Sequence, residues 1–289
     1  MKVCWVALIG RPNVGKSTLM NHIIKYDLSI VSPVAQTTRD QISGVYTDDQ
    51  YQIIFVDTPG IHKPNSKFGL HLNQAAWDSL KEVDLVLFLS PINQAISTGD
   101  QLIIAKLERL KNKIAVITKD DLATTPTDLQ IRITELKQLG FSAITTVNYQ
   151  NPAKIDELLE QIKSFAYEDH QYFDADYITD RTELFLTKEV IRNSAIKFLN
   201  EELPHSIFVE INNYQTNPGK LHVEAIIYCK KESQKGIIIG KGGTMIKQIG
   251  SDARRAIMQK FRLNVDLRLQ VKVEKNWIND PQKLKKIRY

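Results

Sequence analysis

The chain has 289 residues, 43% hydrophobic and 25% charged, which is enough to bury substantial cores and favours two domains. Its net charge of +5 is uneven: residues 1–176 sum to −4 and residues 177–289 to +9, which suits either a polyanion partner for the second part or a merely solvated basic face. The two cysteines, Cys4 and Cys229, lack C-x-x-C spacing, no apolar run approaches the roughly 20 residues of a membrane-spanning helix, and no secretory leader precedes the first strand, so a soluble cytoplasmic protein without disulfide framework or thiolate zinc site is expected.

In chain order, the apolar runs "KVCWVALIG", "YQIIFVD", "DLVLFLS" and "KIAVIT" predict strands buried on both faces. Periodic segments at 68–81, 100–110, 128–139 and 154–165 predict the helices between them. This alternation implies an α/β, doubly wound, mostly parallel sheet over 1–166, with ligands at the carboxyl ends of its strands. A weakly periodic acidic and aromatic stretch, 167–179, is expected to be a linker.

"GRPNVGKS" follows the first strand and opens a helix, matching G-x-x-x-x-G-K-[ST]. Glycines there let a backbone wrap phosphate, and the helix adds its positive end. Gly10, Arg11, Pro12, Asn13, Val14, Gly15, Lys16, Ser17 and Thr18 are therefore candidate nucleotide-binding residues. Lys16 is expected at the β and γ phosphates and the Ser17 hydroxyl on Mg²⁺. A glycine turn with a chance lysine is the bland competitor.

"DTPG" ends the second strand. Asp57 is expected to hold Mg²⁺ through water and Gly60 to offer its N–H to the γ-phosphate, with Thr58 and Pro59 completing the turn. "TKDD" ends a later strand. Asp121 there could accept the N1–H and exocyclic amine of guanine, a donor pair that adenine lacks, while Lys119 lies along the base and Thr118 begins the turn.

Together these segments resemble the translation-factor-related GTPases. The resemblance makes "QTTRD", 36–40, the first switch loop, with Thr38 rather than Thr37 meeting Mg²⁺ and γ-phosphate, so Lys16, Thr38 and Gly60 are the implied catalytic set and GTP/GDP with Mg²⁺ the implied cofactors. "PN" before "VGKS" resembles GTPases in which an asparagine ligates potassium, which assigns K⁺ to Asn13. Three departures stand out. Thr118 replaces the base-binding asparagine, "VNYQNP" puts Asn148 and Tyr149 in the slots of the usual S-A-x loop, and Ile61 follows D-x-x-G where many GTPases carry glutamine. Slow intrinsic turnover and modest nucleotide affinity are expected.

The second part reads as a helix over 180–202, strands near 205–214 and 220–230, a glycine turn, a helix to about 261, a strand "NVDLRLQVKVE" and a basic tail. That order, α-β-β-α-β, describes a small α+β domain over 180–289. "IIIGKGGTMIKQI" resembles the G-x-x-G loop of KH domains, which clamps about four nucleotides of single-stranded backbone. The resemblance assigns RNA contact to Gly240, Lys241, Gly242 and Gly243. Ile239 and Ile246 would floor the base groove, and Lys247, Arg254 and Arg255 would approach phosphates. A plain packing domain with a glycine helix joint is the competitor.

One GTPase domain followed directly by a KH domain resembles the Era family, as do "DYITDR" and "ELPHSIFVEI". The family implies a GTPase that binds the 3′ end of 16S ribosomal RNA and assists 30S subunit maturation, with peripheral inner-membrane association in some members. Two rivals are kept: a C-terminal module that binds protein or an acidic membrane surface, and a GTP-switched scaffold with negligible turnover.

Overall fold

The computed structural model describes residues 1–29, 31, 41–61 and 67–280. The chain divides after Asp180 into two compact units. The switch segment 36–40 and the basic tail fall outside the described residues.

The first unit runs β1 (Lys2–Ile9), α1 (Lys16–Ile24), β2 (Ile42–Thr47), β3 (Tyr51–Asp57), α2 (Lys67–Asp78), β4 (Leu85–Pro91), α3 (Thr98–Leu107), β5 (Lys113–Thr118), α4 (Pro126–Gln138), β6 (Ala143–Thr146), α5 (Pro152–Lys163) and β7 (Tyr167–Glu168). The sheet order is β2-β3-β1-β4-β5-β6, parallel except for β2 at one edge, with the two-residue β7 antiparallel to β1. This is the doubly wound sheet expected. Strand order reverses at β1, whose last four residues, Val6 to Ile9, are fully buried, so its carboxyl end is a switch point where ligands bind. The helices on the flanks are set by local signals: Ser97 and Asp100 close a capping box on α3, and Asn151 caps α5 ahead of Pro152.

The stretch read as a linker, 167–179, is fastened along this unit. The buried Gln52 amide donates to the Phe173 carbonyl (2.9 Å) and accepts from the Tyr172 and Phe173 N–H groups. The Val45 N–H donates to the Ile178 carbonyl at 2.8 Å, and Phe173 and Tyr177 pack against Val3, Val45 and Ile54. Its aromatic residues supply packing that a helix-or-strand pattern search does not register.

The second unit comprises α6 (Glu183–Phe198), α7 (Leu203–Ser206), β8 (Phe208–Asn217), β9 (Lys220–Cys229), α8 (Glu232–Ile239), α9 (Thr244–Phe261) and β10 (Asn264–Val273). Its sheet is β10-β9-β8, with β10 parallel and β8 antiparallel to the central β9. One face, carrying Val209, Leu221, Val223, Ala225 and Ile227, joins Ile191, Ala195, Ile249, Ala253 and Ile257 of the helices in one core. The expected order α-β-β-α-β needs two additions, α7 and α8. The run "GIIIG" closes the helix α8, and of its three isoleucines only Ile238 is fully buried while Ile237 is exposed.

Candidate nucleotide and nucleic-acid sites

The loop between β1 and α1 is shaped by two glycines. Gly10 and Gly15 have φ of +156° and +103°, and a Cβ on either would press against a neighbour at 2.9 Å, Val14 Cγ2 and Tyr149 Oη respectively. The loop's carbonyls are held by side chains from distant elements as well as its own. Lys16 Nζ donates to the carbonyls of Gly10 (3.1 Å) and Arg11 (2.9 Å). Lys119 Nζ reaches that of Asn13 (3.1 Å), Thr118 Oγ1 that of Val14 (2.7 Å) and Tyr149 Oη that of Gly15 (3.1 Å). A backbone so fixed is preorganised. α1 opens on Gly15 without a side-chain cap and without an acid in its first turn, so its leading N–H groups and positive end favour an anion.

Lys16 is 6% exposed. Burial lowers its ammonium to about 8, with Asp57 partly offsetting the shift. A desolvated cation at the mouth of an uncapped helix fits phosphate. Beside it, Ser17 Oγ donates to Asp57 Oδ2 at 2.7 Å. Alcohol and carboxylate oxygens are hard donors of the kind Mg²⁺ takes together with phosphate oxygens and water. Among the described residues no group of three or more His, Cys, Asp or Glu could hold a metal. The residues present therefore suit both groups.

Asp57 and Thr58 are fully buried, and Thr58 Oγ1 donates to the Leu8 carbonyl at 2.7 Å, locking the "DTPG" turn to β1. Gly60 lies against Pro12 so closely that a Cβ there would be 2.6 Å from its nitrogen and 2.7 Å from its Cα. Ile61 donates its N–H to the Gly10 carbonyl (3.2 Å) and turns its side chain into the core. Thr38 lies outside the described residues.

At the other end of the site, Lys119 sits at φ +57°. Of the two adjacent aspartates, Asp120 is engaged by Lys154 while Asp121 stays exposed, so Asp121 is the carboxylate open to a base. The side chain of Arg11, a candidate by its place in the loop, pairs outside that loop. Its Nε donates to the buried Asp100 at 2.8 Å and its Nη2 to Gln94 Oε1 at 3.3 Å. The guanidinium therefore anchors the loop to the start of α3 and leaves phosphate contact to the backbone. Asp100, Lys154 and the Tyr149–Gly15 contact are the parts the sequence reading missed.

The second glycine turn joins α8 to α9. Gly240, Gly242 and Gly243 all have positive φ, and α9 begins on Gly243 with no side-chain cap and no acid in its first turn, as α1 does on Gly15. A Cβ on Gly240 would meet Met245 at 2.8 Å, whereas one on Gly242 would meet nothing within 4 Å. Gly242 is thus free of packing demands at an exposed surface. Alongside, α9 and β10 bound an open groove of about 380 Å³ lined by Ile246, Lys247, Gly250, Ser251, Arg254, Leu267 and Leu269. Ile246, Lys247 and Arg254 are thereby gathered in one place. Arg255 lines a separate groove with Phe198 and Asp252, and Ile239 is absent from the lining of either. Leu267 and Leu269 complete the apolar wall; the alternation of "NVDLRLQVKVE" marked them as one face without showing which.

The N-terminal region matches the family model of the 50S ribosome-binding GTPases over residues 5–119, and the C-terminal region that of the KH domain over residues 202–278. GTPase Era of Mycoplasmopsis agalactiae is 53% identical over 289 residues, covering 100% of both chains. Its counterpart in Mycoplasmopsis pulmonis is 48% identical over 290 residues, covering 99% of each. Among solved structures, a variant of Aquifex aeolicus Era bound to GDP.AlF4⁻ gives a TM-score of 0.94 at 34% identity, covering 99% of this chain and 98% of that one. Era in complex with MgGDPNP and nucleotides 1506–1542 of 16S ribosomal RNA gives 0.95 at 34% identity, with the same coverage. With relatives aligned from end to end and a GTPase model followed by a KH model, the chain belongs to the Era family of GTPases.

Proposed function

We propose that the first unit binds GTP with Mg²⁺ and hydrolyses it, and that the second binds the 3′ region of 16S ribosomal RNA, in the service of RNA processing and assembly of the 30S subunit. The observation that carries the nucleotide half is the pairing of buried Lys16 with the Ser17–Asp57 contact at the start of an uncapped helix. When bound, Mg²⁺ would supply charge neutralisation at the β and γ phosphates. The chain's own residues do the rest. Lys16 draws phosphate oxygens inward, Ser17 and Asp57 orient the cation, and Gly60 offers its N–H where any side chain would strike Pro12. Asp121 selects guanine.

Ile61, buried in the core, leaves orientation of the attacking water to other groups, and slow intrinsic turnover follows. Thr38 remains the sequence's candidate for contact with γ-phosphate and cation, and Asn13, at φ +62°, the candidate for K⁺. Equal hydrolysis rates in K⁺ and Na⁺ buffers would count against the latter. The basic second unit could also support a peripheral hold on an anionic membrane surface.

RNA recognition is supported by the likeness of the glycine turn to a KH loop and by its open flank at Gly242. GTP state and RNA affinity are proposed to be reciprocally coupled. Single-turnover phosphate release with and without a 3′-terminal 16S fragment tests the whole reading. Faster release with RNA supports it; no GTP uptake, or no RNA capture, removes the corresponding half.

A further inference from the structure

Thr118 occupies the place of the base-binding asparagine, and its one hydroxyl proton is committed to the Val14 carbonyl at 2.7 Å. It therefore brings no donor to a purine. Tyr149, in the slot of a small residue, reaches the same spot from another loop. A Cβ built on Gly15 would lie 3.8 Å from Thr118 Cβ and 2.9 Å from Tyr149 Oη, so a shortened side chain and a lengthened one converge there.

Three features make the phenol usable as a donor. Burial, and after it the charge of Asp121, push its pKa up, so the hydroxyl keeps its proton and lies within electrostatic reach of the base-selecting carboxylate. Its ring rests on His22 with centroids 4.7 Å apart, which fixes its position. Its present acceptor, the Gly15 carbonyl, also receives the Leu19 N–H at 2.9 Å, so that carbonyl stays paired if the hydroxyl turns away. Along the rim of guanine, O6 and then N7 follow the N1–H that Asp121 would accept, and both are acceptors.

We propose that Tyr149 is a specificity-determining residue whose hydroxyl turns from the Gly15 carbonyl to donate to the O6–N7 rim of guanine, in the role an asparagine amide at position 118 would fill. The inference rests on the guanine-nucleotide reading above and deepens it.

The test is calorimetric titration of the full chain and of Tyr149→Phe, with Mg²⁺, using GDP, inosine diphosphate, 7-deaza-GDP and 2-aminopurine riboside diphosphate. Wild-type GDP binding comes first; its failure would sink the guanine reading itself. Given binding, Tyr149→Phe is expected to weaken GDP and inosine diphosphate alike by about 3- to 10-fold, the worth of one hydrogen bond. The penalty should vanish on the analogue that lacks the acceptor used, N7 in one case or O6 in the other. An equal penalty on all four nucleotides would reduce Tyr149 to a brace for Gly15 and overturn the proposal, as would no penalty at all.

Discussion

Ser17 and Asp57 meet at 2.7 Å although 40 positions separate them, and their pairing gives the nucleotide site a cation-dependent signature. Ser17→Ala removes one oxygen donor and should cost at least about tenfold in GDP affinity in the presence of Mg²⁺. The same variant should lose most of the difference that chelating Mg²⁺ makes to the wild type, readable by titration with and without EDTA. Gly60→Ala drives a methyl into the Pro12 backbone and is expected to destabilise the fold by about 1–3 kcal/mol in urea melts. Residues of this kind were legible because motif spacing alone brings Lys16, Ser17 and Asp57 to strand ends. Arg11 on Asp100 and Tyr149 on Gly15 span 89 and 134 positions. No local spacing encodes such pairs, so the partner of the Arg11 side chain and the reach of Tyr149 appear only in the structure.

Elements were easiest to read where burial is complete. β1, β3, β4 and β5 are almost wholly buried, and each appeared as an unbroken apolar run. β6, half-buried at every position, and β7, with two exposed residues, left no such trace. α8 is eight residues long and has only Ile238 fully buried, so its sequence carries little helical periodicity and the order α-β-β-α-β omitted it. The turn after α8 gives a paired prediction. Gly242→Asp meets no neighbour and tolerates its left-handed φ at modest cost, so RNA binding should fall by at least about tenfold while thermal stability hardly changes. Gly240→Ala, pressed against Met245, should instead lower stability in the same melts.

The β2–β3 turn offers a pH test. Burial raises the Asp48 pKa, but hydrogen bonds from Lys163, the Gln50 and Tyr51 N–H groups and Tyr46 outweigh it and hold the carboxyl at about 2. A carboxyl lowered on folding adds stability above its unfolded value, and that contribution is lost as pH falls from about 4 to 2. Asp48→Asn should flatten the acid limb of the stability profile in that window; an unchanged limb would show that Asp48 does not contribute to it.

Across the whole molecule, charge is parted by function: −4 over residues 1–176, which carry the nucleotide site, and +9 over residues 177–289, which carry the second glycine turn. Lys241, Lys247, Arg254 and Arg255 are all exposed. If all four meet phosphates, log affinity for single-stranded RNA should fall against log salt with a slope of about −3, and Arg254→Ala should reduce it by roughly 0.7. The most direct test of the account is titration of a 16S ribosomal RNA 3′-terminal fragment into the full chain loaded either with a non-hydrolysable GTP analogue and Mg²⁺ or with GDP. Coupling predicts affinities that differ between the two states by about 5- to 150-fold. Equal affinities in the two states would contradict it.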